Sequence, residues 1–157
     1  MSTAADRAVR LAGPEDAMSI GRLLHDFNVE FDDRTPAPER LAERIKFLLH
    51  EGQTAVLLGG AGPDGLAVLR FRQAIWSQAL ECYLAELYVV AHLRGNGRGR
   101  ALMEAAMELA RGWGADYMDL GTGEQDVAAR ALYESLGFSN REAKQDGSVN
   151  YFYERDL

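Results

Sequence analysis

At 157 residues the chain is long enough for about one domain with one core. Hydrophobic content of 47% and charge of 26% are ordinary globular values, and a net charge of -7 argues against a surface that grips nucleic acid. The single cysteine, Cys82, excludes an internal disulfide, the scattered His25, His50 and His92 offer no zinc-like ligand set, and no stretch approaches the ~18 apolar residues of a membrane span, so neither a metal nor a membrane is expected.

The opening "MSTAADRAVR" lacks the apolar run of a signal peptide, which predicts a soluble, cytoplasmic protein. "RAVRLAG" alternates like a short strand. Pro14, Glu15 and Asp16 suit the first turn of a helix whose buried stripe is Ile20, Leu23, Leu24 and Phe27. "FNVEFDDRTPAP" interrupts that pattern. "PERLAERIKFLLHEG" restores it, with Leu41, Ile45, Leu48 and Leu49 on one face and Gly52 near the end. "TAVLLGG" and "GLAVLRFRQAIW" read as strands joined by a Pro-Asp-Gly turn, and "ECYLAELYVV" as a third. A glycine-rich loop then launches a helix with Leu102, Ala106, Leu109 and Trp113 on one face. "ADYMDLGT" is a strand, "DVAARALYESLGF" a short helix closed by Gly137, and the rest a hairpin around Asp146-Gly147. The order βααβββαβαββ predicts one α/β (α+β) domain: a mixed, mostly antiparallel sheet of about six to seven strands, flanked by about four helices.

The loop "RGNGRGR" carries the strongest chemical signal. Backbone N–H groups at a helix start are unpaired and partly positive, so a strand–loop–helix junction is an anion site. Gly95, Gly97 and Gly99 let a large anion approach the main chain, and Arg94, Arg98 and Arg100 add charge. A flexible basic turn is the plainer alternative. The nucleotide loop G-x-x-x-x-G-K-[ST] and the dinucleotide fingerprint G-x-G-x-x-G are both absent; the spacing here is G-x-G-x-G.

"LYVVAHLRGNGRGRALM" resembles the acyl-CoA-binding motif of the GNAT superfamily of N-acetyltransferases, [Q/R]-x-x-G-x-[G/A], with Arg94, Gly97 and Gly99 at its fixed positions. "DVAARALYESLGF" is similar to the family's second motif, N-x-x-A-x-x-L-Y-x-x-x-G-F, matched by Ala129, Leu132, Tyr133, Gly137 and Phe138. Asp126 stands where the family has Asn; it still suits a helix N-cap. The element order fits too, so the resemblance covers nearly the whole chain. It implies a single N-acetyltransferase domain over residues 1–157. It also implies acetyl-CoA held in a splay between the strands "ECYLAELYVV" and "ADYMDLGT". The pantetheine arm would pair with the backbone near Leu87, Tyr88 and Val89, and the pyrophosphate would sit on Arg94, Gly95, Asn96, Gly97, Arg98, Gly99 and Arg100, with Asp126 close to the cofactor.

The resemblance implies direct attack of an amine on the thioester through a tetrahedral intermediate. An ammonium must first lose a proton, and a carboxylate on the central strand can take it. Glu86 is the expected base, with Glu81 next and a solvent-facing strand glutamate as the alternative. A backbone N–H near Tyr88 or Val89 would face the oxyanion. Tyr133 matches the family's tyrosine acid, which returns a proton to the CoA thiolate.

The acceptor is less legible. Asp26, Glu30, Asp32 and Asp33 cluster in "HDFNVEFDD", which would draw a small cationic amine, aminoglycoside- or polyamine-like, or else is a solvated helix end. Trp76 and the arginines before it could line the same cleft. A peptide or protein acceptor, or a non-catalytic acyl-CoA sensor, are the alternatives. The aromatic "YFYERDL" suits either a homodimer edge or an ordinary last strand.

Overall fold

The computed structural model describes residues 3–142 and 147–157. The chain divides into two compact units, the first ending at Leu120 and the second beginning at Gly121. The first holds a five-stranded sheet in the order β1-β2-β3-β4-β5. Its strands are β1 (Val9–Leu11), β2 (Thr54–Gly59), β3 (Gly65–Gln73), β4 (Leu80–Val89) and β5 (Ala115–Leu120). The pairings from β1 through β4 are antiparallel, and β4 pairs with β5 in parallel. Three long helices accompany the sheet: α1 (Ala17–Glu30), α2 (Pro38–Glu51) and α3 (Arg98–Gly112). The parallel pairing follows from the chain path, because α3 is the crossover connection between β4 and β5.

Local chemistry sets the helix ends. Asp16 takes the backbone N–H of Gly13 at 2.9 Å and both terminal nitrogens of Arg10, at 2.8 and 2.9 Å, which fixes the entry to α1. The Arg10 guanidinium, with the Gly13 amide, holds that carboxyl down to about 2. Pro38 opens α2 at a position where its missing N–H costs nothing. Gly52 closes α2 with φ of 79°, a left-handed conformation that other residues resist.

One sheet face packs Val56, Leu58, Leu66, Val68 and Tyr88 against Ala17, Ile20 and Leu23 of α1 and Ala42 and Ile45 of α2. Gly21 lets the two helices cross closely, since a Cβ there would strike the Pro38 carbonyl. The opposite face carries α3. Leu102 is buried over Gly59 and Gly65, and the Phe71 ring stacks 4.7 Å from Trp113. Burying a leucine of this kind stabilises the fold by about 1.5–3 kcal/mol relative to leaving it exposed. Met103 and Ala110 join this face, which the predicted stripe did not include.

The second unit contains α4 (Val127–Ser135). Gly137, at φ of 92°, lets Phe138 N–H reach back to the Tyr133 carbonyl at 3.0 Å and Gly137 N–H to Glu134 at 3.1 Å. That double bond pattern is a helix stop, and it explains why Gly137-Phe138 must follow the helix.

The structure corrects four expectations. Among the described residues five strands form where six to seven were expected. Of the final hairpin the described residues show one antiparallel bridge, Arg141 to Val149, and its predicted turn at Asp146 lies outside them. Tyr151, Phe152 and Tyr153 are exposed rather than packed in a last strand. The first helix runs on to Glu30 and β3 stops at Gln73, so the acidic stretch begins on a helix and Trp76 lies beyond its strand. No helix among the described residues is long and apolar enough to cross a membrane.

Candidate functional site

β4 changes phase in its middle. Leu84 pairs with Leu69 and Glu86 with Val68, so Ala85 has no opposite number on β3. This is a β-bulge, and it reverses which face the next side chains take. Cys82 and Leu84 share the α3 face with Phe71 and Leu69. Glu86 would have followed them by simple alternation. The extra residue turns Glu86 to the α1/α2 face beside Val68, and Tyr88 to the same face beside Leu66. Glu86 is half-buried there, and burial raises its carboxyl above the usual range.

The bulge also marks where β4 and β5 part. Their pairing ends at Leu84 with Leu120, while β4 continues to Val89. Beyond Leu84, the β4 main chain has no β5 partner. Leu87, Tyr88 and Val89 lie on this length of β4.

The glycine loop stands at the end of the same strand. Gly95 and Gly97 have φ of 77° and 80°, and Gly97 is the N-cap of α3 with no side-chain cap. Asn96 uses its amide on the carbonyls of Leu93 and Arg94, at 3.3 and 3.2 Å, which bends the loop on itself. Alternating left-handed glycines before an uncapped helix turn successive N–H groups toward one point, the geometry of an anion nest. A Cβ at Gly95 would meet nothing and one at Gly97 only the Arg7 Cδ, at 3.7 Å. The glycines are therefore required by backbone conformation, not by crowding.

The arginines are placed differently from the simple expectation. Arg94 donates through Nε to the Val89 carbonyl at 2.8 Å and through Nη2 to Glu30 at 2.6 Å, over the Tyr88 ring. It ties the loop to the end of α1. Arg98, with a side chain only 11% exposed, reaches Asp64 at 2.9 Å and the Asp6 carbonyl at 2.8 Å. It clamps the start of α3 to the turn between β2 and β3, so the cradle keeps the backbone of Arg98 and Gly99 but not the Arg98 charge. Arg100 lies 3.9 Å from Glu104 on the helix. Arg7, far away in sequence and exposed, is the cation that passes beside Gly97. Neither Arg7 nor Asp64 carries a local motif that would have revealed it.

Tyr133, on α4, is 8% exposed and sits edge-on to Phe138, with ring centroids 6.1 Å apart. Burial, then the charge of Asp126, raises its phenol above the ordinary value, so it holds its proton at neutral pH. Asp126 is the N-cap of α4, yet its carboxylate turns back to Thr122 and to the Gly123 N–H, each at 3.2 Å. It orders the turn before the helix and does not cap the helix itself.

The acceptor residues are dispersed. Glu30 is engaged by Arg94, while Asp32 and Asp33 are exposed in the turn after α1. Glu81, the second choice of base, is bound by Arg72 at 2.6 Å. Trp76 is 95% exposed on the loop between β3 and β4.

A relative of known structure shares this arrangement of elements. A crystal structure from Arthrobacter sp. FB24, classed as an acetyltransferase, is 38% identical with a TM-score of 0.89, and the match covers 100% of both chains. The N-acetyltransferase YhfO of Bacillus subtilis is 26% identical, covering 91% of this chain and 94% of that one. Mycothiol acetyltransferase of Beutenbergia cavernae is 33% identical over 109 residues, 65% of this chain; the matched part spans only 36% of that longer relative. The family model described as Acetyltransferase (GNAT) family matches residues 20–138, which include β4, the glycine loop and the α4 motif, and the chain therefore belongs to that family.

Proposed function

We propose that the protein is an N-acetyltransferase, one domain over residues 1–157, that transfers an acetyl group from acetyl-CoA to a primary amine of a small cationic acceptor. One observation carries this reading. The bulge at Ala85 turns the half-buried Glu86 to the acceptor face at the point where β4 leaves β5, and β4 then leads to the glycine nest. Acetyl-CoA, when bound, supplies an activated acyl carbon and a thiolate leaving group.

The chain's own residues account for the rest. Along Leu87, Tyr88 and Val89, β4 offers the pantetheine arm the edge that faces away from β3, where Arg94 already takes the Val89 carbonyl. Gly95, Gly97 and the first amides of α3 hold the pyrophosphate, and Arg7 adds charge beside them. Glu86 removes the proton from the attacking ammonium. Burial suits it to this task, because a raised carboxyl is a stronger base than an ordinary one. A main-chain N–H of Tyr88 or Val89 faces the developing oxyanion. Tyr133 donates its proton to the departing thiolate, as its motif implies, and its buried phenol retains that proton until needed.

The test is thiol release from acetyl-CoA against aminoglycosides, polyamines, amino acids and short peptides, with acetyl-CoA binding measured by calorimetry. Turnover with a small amine supports the reading. Turnover with peptides alone would replace the acceptor class. Tight binding without any turnover would make the protein an acyl-CoA sensor.

A further inference from the structure

The face that carries Glu86 changes character along the sheet. Its inner part, Val56, Leu58, Leu66, Val68 and Tyr88, lies under α1 and α2. Farther along, β3 presents Arg70 and Arg72 in phase with Val68, and both are exposed. Opposite them stand Tyr83 and Glu81, which pair in turn with Asp119 and Tyr117 of β5. Residues in register share a face, so these six side chains form a polar floor that continues from Glu86.

Most charges on this floor are accounted for. Arg72 donates to Glu81 at 2.6 Å. Asp119 is different: its Oδ1 is buried and meets no hydrogen-bond donor among the described residues. A buried carboxylate oxygen without a donor is rare in folded proteins and costly. Nothing in the strand pairing requires an acid here. Burial, offset in part by Arg72 and by the residue's own backbone N–H, raises the Asp119 carboxyl. An incoming donor would relieve this cost, and a cation would relieve it best.

We propose that Asp119 anchors a second cationic group of the acceptor, which makes the preferred acceptor class an α,ω-diamine. This rests on the acetyltransferase reading of the same face. Asp119 lies beside Tyr83, and Glu86 follows three residues along β4, a step shortened by the bulge. With about 3.3 Å per residue along β4 and about 4.8 Å across to β5, the two positions stand roughly 8–11 Å apart, too far to share one nitrogen. That span matches the two ends of an extended diamine with about five to eight methylenes. Arg70, on the same floor, disfavours a third cation near the middle and would instead suit a carboxylate.

The experiment measures kcat/KM for a series of α,ω-diamines of increasing length, the matched monoamines and amino acids, with the parent protein and Asp119→Asn. Acetyl-CoA affinity and Tm of both proteins establish that the variant is folded and loaded. For the parent protein, kcat/KM peaks at intermediate diamine length and exceeds the matched monoamine by tenfold or more. Asp119→Asn collapses that ratio toward one, mainly through KM. A flat length series, or an unchanged ratio in the variant, overturns the role of Asp119 while leaving acetyl transfer standing. Preference for amino acids would overturn it too and point to Arg70. No turnover of any amine by a protein that binds acetyl-CoA would remove the acetyltransferase reading and this one together.

Discussion

Gly97→Asp separates the anion cradle from the stability of the fold. Gly97 adopts φ of 80° and ψ of 5°. A side chain in that conformation costs about 1–2 kcal/mol. The new Cβ meets nothing closer than the Arg7 Cδ at 3.7 Å, so no clash adds to the strain. An acid at a helix N-terminus returns about 0.3–1 kcal/mol. The net cost is about 1 kcal/mol, a fall in Tm of roughly 2–4 °C for a chain of this size. Acetyl-CoA binding responds far more. A carboxylate about 4 Å from each pyrophosphate charge repels it by about 1–4 kcal/mol at effective dielectrics between water and a protein surface. Two such charges add about 2–8 kcal/mol, and the main-chain approach is blocked as well. The expected loss of affinity is at least about thirtyfold, since each 1.4 kcal/mol is tenfold. Calorimetry gives Kd, and thermal melting gives the control. Gly97→Ala divides strain from charge and should lose much less. An affinity for Gly97→Asp within about threefold of the parent protein would refute the cradle.

The remaining predictions address the chemistry and the clamp. Glu86→Gln lowers kcat by about a hundredfold or more while acetyl-CoA affinity holds, because general-base catalysis is worth about 10²–10⁴. The same change raises Tm at neutral pH. The folded state raises this carboxyl, so it binds the proton more tightly than the unfolded chain, and stability falls as pH rises through the titration; an amide escapes that loss. A lower Tm for the variant would contradict the burial account. Tyr133→Phe reduces kcat far more than it weakens acetyl-CoA binding, and equal losses in steady-state kinetics and calorimetry would remove it as the acid. Asp64→Ala leaves the buried Arg98 short of a partner, costs about 1–3 kcal/mol by chemical denaturation, and weakens acetyl-CoA binding without any change at the cradle itself. A variant that loses stability but keeps full affinity would show that the clamp does not position α3.

The second unit shows how far local sequence reaches. The stop at Gly137-Phe138 depends only on backbone conformation within a few residues, and it was readable from the sequence. The left-handed glycines before α3 were legible for the same reason. The predicted last strand was not secure. Tyr151 to Tyr153 have the composition of a strand, but composition is only a fitness for a half-buried surface and does not supply the partner. The side-chain partners of Arg94 and Arg98 were not legible for a related cause. Their neighbours Glu30, Asp64 and Asp6 lie distant in the chain, so no spacing rule could connect them.

The sequence by itself determined the family, the glycine loop, the helix stops and Glu86 as a candidate base on β4, because each is a matter of local backbone chemistry or a short motif. Tertiary structure alone decided where those groups face. A single unpaired residue, Ala85, reverses the side-chain alternation of β4, and strand periodicity cannot reveal it because a bulge exists only relative to the strand beside it. The same holds for Asp119. In the sequence it is one acid in a short strand, and its meaning comes from the register that places it beside Tyr83 and leaves its Oδ1 buried without a donor.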